Sequence, residues 1–256
     1  MRAARVYRTE GIVLKGYNYG EADRILTLIT PNSGKLRAVA KGIRKTKSRM
    51  SGHLDLFTRS TLFVARGRQL DIVTQAETID NFREVREDLW RSTYCHYVAE
   101  LLDGFSAEAL SNYPLYALSV QTFHRLATAP NCDLVVRSFE LQLLEHTGYR
   151  PQLHRCLGCE NEIQPDGNRF SVKLGGVLCP LCASIDAAAP AISSPALKTM
   201  RNLQVNEGAM LRLPDLEDEV RREVGTRLSE YIVYRLESQP RSLAFLERLR
   251  SEGMRS

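Results

Sequence analysis

Residues 24–41 read RILTLITPNSGKLRAVAK, and this stretch decides the fold of the first part of the chain. Residues 24–30 are rich in β-branched side chains and apolar at both parities, which suits a central strand. Pro31, Asn32, Ser33 and Gly34 then make a turn, and residues 35–41 return as a second strand. Working outward, residues 11–14 supply a strand that ends before a turn at residues 16–20. Residues 54–65 supply a fourth and residues 69–76 a fifth, with Leu70, Ile72 and Thr74 on one face and Asp71, Val73 and Gln75 on the other. Five short strands within residues 6–80 fit a small barrel of the oligonucleotide-binding (OB) type. An SH3-like barrel satisfies the same pattern and stays open as an alternative.

Beyond Asp80 the apolar period lengthens from two to about three and a half. Val85, Leu89, Tyr94, Val98, Leu101, Leu102 and Phe105 follow helical spacing, as do Tyr116, Val120, Phe123 and Leu126 after the helix-opening Pro114. Residues 133–146 form a further helix that stops at Gly148, with Pro151 beyond. A Pro- and Ala-rich linker at residues 186–195 precedes a helix marked by Leu216, Val220, Val224, Leu228, Ile232 and Leu236. The expected organisation is therefore an α+β multidomain chain. Residues 1–80 form the OB barrel, 81–150 and 186–256 the two parts of a helical domain, and 151–185 an inserted module.

With 256 residues, 43% apolar and 25% charged, the chain has the composition of an ordinary globular protein. No apolar run is long enough to span a membrane, and residues 1–16 lack a secretory pattern, so a cytoplasmic protein is expected. The net charge of +5 is unevenly placed. Residues 1–80 carry 15 Lys and Arg against 7 Asp and Glu, a balance of +8, while the remainder sums to −3. Arg24, Lys35, Arg37, Lys41, Arg44, Lys45, Lys47 and Arg49 follow one another with no acid between Asp23 and Asp55. Such a division points to a polyanion partner for the barrel, the alternative being a solvated lysine-rich loop. Gly42, Ser48, Ser51 and Gly52 suggest that the loop is mobile. Tyr17, Tyr19, Phe57 and Phe63 are the aromatics on which bases could stack, with Phe63 assigned to the core by its LFV context. Nothing in the segment reads base edges, so binding should be largely independent of sequence.

Cys156, Cys159, Cys179 and Cys182 give C-x2-C-x19-C-x2-C, the spacing of a structural zinc ribbon or knuckle. Four thiolates close a tetrahedron and leave no position for substrate, so one Zn²⁺ per chain would be structural. A module of this size cannot bury much core, and the metal would supply much of its folding energy. Disulfides are the alternative, disfavoured by the lack of secretory features. Cys95 and Cys132 fall in helical patterns and read as buried apolar residues. His154 reads as a surface residue.

No common catalytic signature survives inspection. Ser33-Gly34-Lys35 resembles the end of a phosphate-binding loop, but Ile29 stands where glycine is needed and Leu36 where a hydroxyl would bind magnesium. The five histidines are scattered, no His-x-Glu occurs, and Glu217, Asp218 and Glu219 read as helix N-terminal charges. A non-enzymatic role is expected.

Three segments together resemble a known family. They are YNYGEADRILTLITPNSGKLRAVAKGIRKTKSR (residues 17–49), LLEHTGYRPQLHRCLGC (143–159) and FSVKLGGVLCPLC (170–182). The chain is similar to the bacterial RecO recombination mediators along its whole length, including a closing helix near residues 238–249. The resemblance implies an N-terminal OB fold, a helical domain and a zinc module inserted in it. It further implies binding of single- and double-stranded DNA, annealing of complementary strands and a role in recombinational repair by the RecF pathway, near the nucleoid. Partners implied are RecR, which helps load recombinase, and the acidic C-terminal tail of single-strand-binding protein. Arg125, Arg137 and Arg201 lie near apolar helix faces and are candidates for that tail. A basic, zinc-containing RNA-binding factor associated with the ribosome is the rival reading from the residues themselves.

Overall fold

A computed structural model of the chain describes residues 6–205 and 216–251. In chain order the strands of the first part are β1 (Val6–Tyr19), β2 (Asp23–Thr30), β3 (Gly34–Ala40), β4 (Arg59–Ala65) and β5 (Asp71–Asp80). Helices α1 (Glu84–Glu87), α2 (Leu89–Phe105), α3 (Tyr113–Thr128) and α4 (Cys132–His146) follow. A hairpin of β6 (Arg169–Ser171) and β7 (Gly176–Leu178), a 3-10 segment at Pro180–Asp186, and helices α5 (Ser194–Val205), α6 (Asp218–Leu236) and α7 (Arg241–Ser251) complete the described chain. Two compact units result: Met1–Cys132 with Arg241–Ser256, and Asp133–Pro240.

In the first unit the five strands close into a barrel in the order β1-β2-β3-β5-β4, with β4 pairing back to β1. All pairs are antiparallel except β3 with β5. This is the OB barrel expected from the strand count. Leu26 and Leu28 of β2 join Leu36, Ala38 and Ala40 of β3 and Leu62 and Val64 of β4 in its core. The opposite face of β2 carries the buried Thr27 and Ile29, and α2 and α3 both contact this strand. Both faces of β2 are thus covered, which is why its sequence is apolar at both parities.

Three strand assignments need correction, the simplest being the fifth, which spans Asp71–Asp80 rather than residues 69–76. β1 does not end before residue 16 but runs on to Tyr19, because a bulge between Val13 and Lys15 lets Tyr17 and Tyr19 keep pairing with Ile25 and Asp23. The fourth strand starts at Arg59 rather than residue 54. The preceding residues are held by hydrogen bonds from Phe57 N to Val13 O (2.8 Å) and from Val13 N to Thr58 O (3.1 Å), with Phe57 itself at a positive φ of 66°. Residues 54–58 therefore turn rather than extend.

The helices of this unit are capped by their own sequence. Asp88 accepts from Arg91 N at 2.7 Å and opens α2, while Asn112 accepts from Leu115 N at 3.1 Å and opens α3. Against the barrel, Arg59 Nη2 reaches Glu10 Oε2 at 2.7 Å, and Tyr116 of α3 donates to the same oxygen at 3.1 Å. Helix α7 lies on α2, where Ser242 donates through its amide and hydroxyl to Glu100 Oε2 at 3.1 and 2.7 Å.

In the second unit α5 packs on α6, which buries Val224, Leu228, Tyr231 and Ile232. Helix α6 begins at Asp218, so Leu216 of the expected stripe precedes it. Tyr231 meets Phe170 of β6 edge to face at 5.8 Å and donates to Tyr149 O at 2.9 Å. Arg137 of α4 is buried with Glu140, Nη1 to Oε2 2.9 Å, and donates to Gly225 O at 3.3 Å.

Candidate nucleic-acid interface and metal centre

The eight basic residues singled out above divide into two sets. On β3, Leu36, Ala38 and Ala40 point into the core, so alternation turns Lys35 and Arg37 outward. There Lys35 meets the last turn of α2 and Arg37 the α2–α3 connection. Lys35 Nζ donates to Asp103 O at 2.6 Å and lies 3.3 Å from Asp103 Oδ1, while Arg37 Nη1 is 3.8 Å from Glu108 Oε1. Backbone bonds join the same strands of chain, Lys35 N to Ala107 O at 3.4 Å and Ala109 N to Lys35 O at 3.2 Å. Gly34, at φ +57°, lies so close to Leu110 O that no side chain fits. The Lys35 side chain is only 16% exposed and is engaged inside the unit.

Of the other six, Arg24, Lys41, Arg44 and Lys45 stand at the end of the barrel beside the β1–β2 turn, Lys47 follows on the same loop, and Arg49 borders a hollow lined by Phe63, Thr74 and Gln75. Arg44 N donates to Ala22 O at 2.9 Å, and Gly42 N donates to Asp23 Oδ1 at 2.7 Å, so residues 41–45 lie against the β1–β2 turn. Arg24, on β2, donates to Asn18 Oδ1 at 3.4 Å. Lys41, Arg44, Lys45, Lys47 and Arg49 are exposed, and none of these or Arg24 forms an ion pair with a carboxylate among the described residues. The loop is anchored rather than loose. Ile43 is 3% exposed and sits in the barrel core with Leu54, and Met50 packs against them. A pinned arc of unpaired cations is a surface preorganised for phosphates.

The aromatics fall otherwise than expected. Phe57 is 3% exposed, stacked on Phe123 at 5.6 Å, and cannot meet a base. Phe63, assigned to the core, is instead 40% exposed, because Leu62 and Val64 take the inward positions of β4. Tyr17 and Tyr19 are 40% and 57% exposed at the basic end. A cleft there, lined in part by Tyr17 and Leu56, was not visible in the sequence, since it depends on residues 54–58 folding back on Val13.

In the second unit the hairpin β6–β7 brings the two cysteine pairs together. Leu157 N donates to Val177 O at 3.0 Å and Cys179 N to Cys156 Sγ at 3.3 Å. All four Sγ atoms lie within 4.8 Å of one another, and Cys159 Sγ is 3.8 Å from Cys179 Sγ. Metal–sulfur bonds of about 2.3 Å give a tetrahedral edge of about 3.8 Å, so the cluster fits a single thiophilic ion. The sulfurs are not bonded to each other. Burial pushes the Cys156 thiol up, but amide N–H groups of Cys179, Cys159 and Gly158 outweigh it and bring it down to about 6. A thiolate at Cys156 is therefore accessible near neutral pH. His154 is exposed, and Cys95 and Cys132, which belong to the first unit, are buried.

Of the residues considered for an acidic tail, Arg137 is closed off, its side chain 1% exposed and engaged by Glu140. Arg201 donates twice to Leu153 O, at 2.9 and 2.7 Å. Arg125 is half-buried on α3.

No described helix is long and apolar enough to cross a membrane. Residues 1–82 match the family described as Recombination protein O N terminal, and residues 86–244 the one described as Recombination protein O C terminal. The DNA repair protein RecO of Roseiflexus sp. is 41% identical over 246 residues, covering 96% of this chain and 87% of that protein. That of Dehalococcoides mccartyi is 36% identical over 243 residues, covering 95% and 96%. That of Symbiobacterium thermophilum is 37% identical over 250 residues, covering 96% and 98%.

Proposed function

Because the chain belongs to the recombination protein O family, we propose that it is a DNA-binding mediator of recombinational repair. It holds single- and double-stranded DNA and anneals complementary strands. With RecR it helps load recombinase onto DNA coated by single-strand-binding protein, whose acidic tail it engages. It acts in the cytoplasm, at the nucleoid, and breaks no covalent bond.

The observation that carries this reading is the arc of Lys41, Arg44, Lys45, Lys47 and Arg49, anchored through Ile43 and free of carboxylate partners among the described residues. Cations fixed in this way release condensed counterions when phosphates take their place, so binding is driven electrostatically and weakens with salt. Transient, sequence-independent contact with sugar–phosphate is what annealing requires, since two strands must be held without their base edges being occupied. Mediation then becomes an exchange of binding energies, with cations competing for phosphates while the coating protein is held elsewhere.

The cysteine cluster would hold one Zn²⁺ through Cys156, Cys159, Cys179 and Cys182. The ion would add a structural cross-link to the small core of Phe170, Val177 and Leu178, and with four sulfur ligands it would leave no position for a substrate. Metal analysis of the purified chain should find one zinc per chain in colourless protein; iron in that site would be coloured and would overturn the assignment.

The central experiment is annealing of complementary oligonucleotides coated by single-strand-binding protein, with and without the chain. Acceleration by the chain, without ATP, is expected. No acceleration would refute the mediator reading, and a preference for RNA over DNA of equal length would favour a role in RNA binding.

A further inference from the structure

The basic end of the barrel contains a cleft that phosphate binding alone does not use. From Lys15 to Tyr19 every residue of β1 is exposed, because the bulge after Val13 carries the strand beyond the core. Residues 54–58 are tied to Val13 by the two backbone bonds already described, which raises Leu56 beside this arm. The space between is about 380 Å³. Val13, Leu26 and Leu54 form its floor, each 1% exposed. Tyr17 and Leu56 form its walls, 40% and 38% exposed. Asn18 and Arg24, register partners across β1 and β2, are its polar groups.

We propose that this cleft takes one unpaired nucleobase of a bound single strand. The proposal rests on the DNA-binding reading above and names a contact within it. A nucleobase is flat and apolar on its faces and polar at its edge. The cleft has the matching arrangement: an apolar floor, an aromatic wall, and an amide with a guanidinium at the same site. Its volume falls at the small end of ligand sites, which run from about 300 to 1,000 Å³. The surrounding charge suits the backbone that must accompany the base. Arg44 is held at the tip of the same hairpin by Gly20 O at 3.4 Å and Glu21 O at 3.1 Å, and Lys41 and Lys45 are exposed beside it. Carboxylates also lie near the cleft, among them Asp55, between the lining residues Leu54 and Leu56 and 3.8 Å from Arg86 Nη1. Asp23 is engaged by Gly42 N, and Glu21 is exposed to solvent. Lys15 Nζ stands 5.7 Å from the centroid of the Tyr17 ring and 3.9 Å from Asp103 Oδ2, so this cation next to the wall is already paired. A base stacked inside a duplex cannot enter without being extruded, so the cleft distinguishes single from double strands.

The test uses the full chain and two labelled strands of about 15 nucleotides, near the upper site size of one such barrel, one of thymidine and one abasic throughout. The wild-type chain should bind the thymidine strand roughly tenfold more tightly than the abasic one. Tyr17→Ala should abolish that preference, leave duplex affinity and the salt slope unchanged, and leave binding of the abasic strand intact. Tyr17→Phe should retain the preference. A strand with 2-aminopurine at its centre should lose fluorescence on binding wild-type but not Tyr17→Ala. Equal affinity of wild-type for both strands, or an undiminished preference in Tyr17→Ala, would overturn the base cleft alone. Failure of wild-type to bind either strand in dilute salt would overturn the DNA-binding reading and the cleft with it.

Discussion

At Gly158 the chain has no room for a side chain: a Cβ would lie 2.9 Å from both Cβ and Sγ of Cys182. Gly158→Ala should therefore push the two cysteine pairs apart and weaken metal retention, read as faster transfer of the ion to a colorimetric chelator than from wild-type. Equal transfer rates would show that the knuckle yields. Glu10 carries a different kind of constraint. The Arg59 guanidinium beside it, helped by the Tyr116 hydroxyl and opposed by burial, holds its carboxyl below the usual 4.5. A depressed acid stabilises the fold above its unfolded value, and that contribution is lost as pH falls through the folded one. Glu10→Gln should thus lower the melting temperature at pH 7, by the equivalent of no more than about 1 kcal/mol for so exposed a pair, and the gap should close below pH 4.5. A gap that persists in acid would assign the effect to packing. Legibility at this scale was mixed. The four cysteine ligands announce themselves by spacing, because each pair is local. Phe63 could have been read outward from the alternation of Leu62 and Val64, but its apolar neighbours hid the phase. The buried position of Phe57 depends on a left-handed turn at φ 66° that phenylalanine does not advertise.

Among the elements, β3 and the loop after it show where charge in a sequence misleads. Eight cations appear as one cluster in the chain, yet Lys35 faces Asp103 of α2, 68 residues away, and Arg37 faces Glu108 of the α2–α3 connection. No local pattern carries that pairing; it exists only once the helices cover the barrel. What was legible was β2, since burial on both faces demands apolar residues at both parities, and the helices, whose caps at Asp88 and Asn112 are local hydrogen bonds. The division makes two opposite predictions. Replacing Lys41, Arg44, Lys45 and Lys47 by alanine should reduce the log–log salt slope for single strands, expected near −3 to −4 for four to six contacts, by about 3, without lowering the melting temperature much. Lys35→Ala should instead destabilise the first unit and change the slope little, because its ammonium serves Asp103. If Lys35→Ala alone lowered the slope as the loop variant does, the assignment of β3 to structure would fail.

Along the chain as a whole, charge and the cysteine cluster fall in different places. The basic excess of +8 belongs to residues 1–80, within the first compact unit, and the four cysteines belong to the second. In the second unit the cysteine module buries Leu153, Ile163, Phe170, Val177 and Leu178 in a small core, while Leu157, Leu174, Leu181 and Ile185 are exposed, Leu181 at 92%. An ion held by the four cysteines would add a cross-link to this small core, since metal binding is coupled to folding in modules of this size. The barrel has its own core and needs no ion. Removing the metal with a strong chelator should therefore open residues 151–185 to protease and expose Cys156, Cys159, Cys179 and Cys182 to alkylation. Cys95 should stay unreactive until the protein is denatured, its thiol pushed up by burial and by Cys132. Single-strand affinity and its salt slope should change little under the same treatment, because the arc proposed to meet phosphates is anchored through Ile43 to the barrel. Mass spectrometry of the alkylated cysteines, paired with binding titrations on the same chelated sample, checks both halves. Loss of DNA affinity by more than about tenfold on chelation, equivalent to about 1.4 kcal/mol, would mean that the metal centre supports the grip on DNA directly.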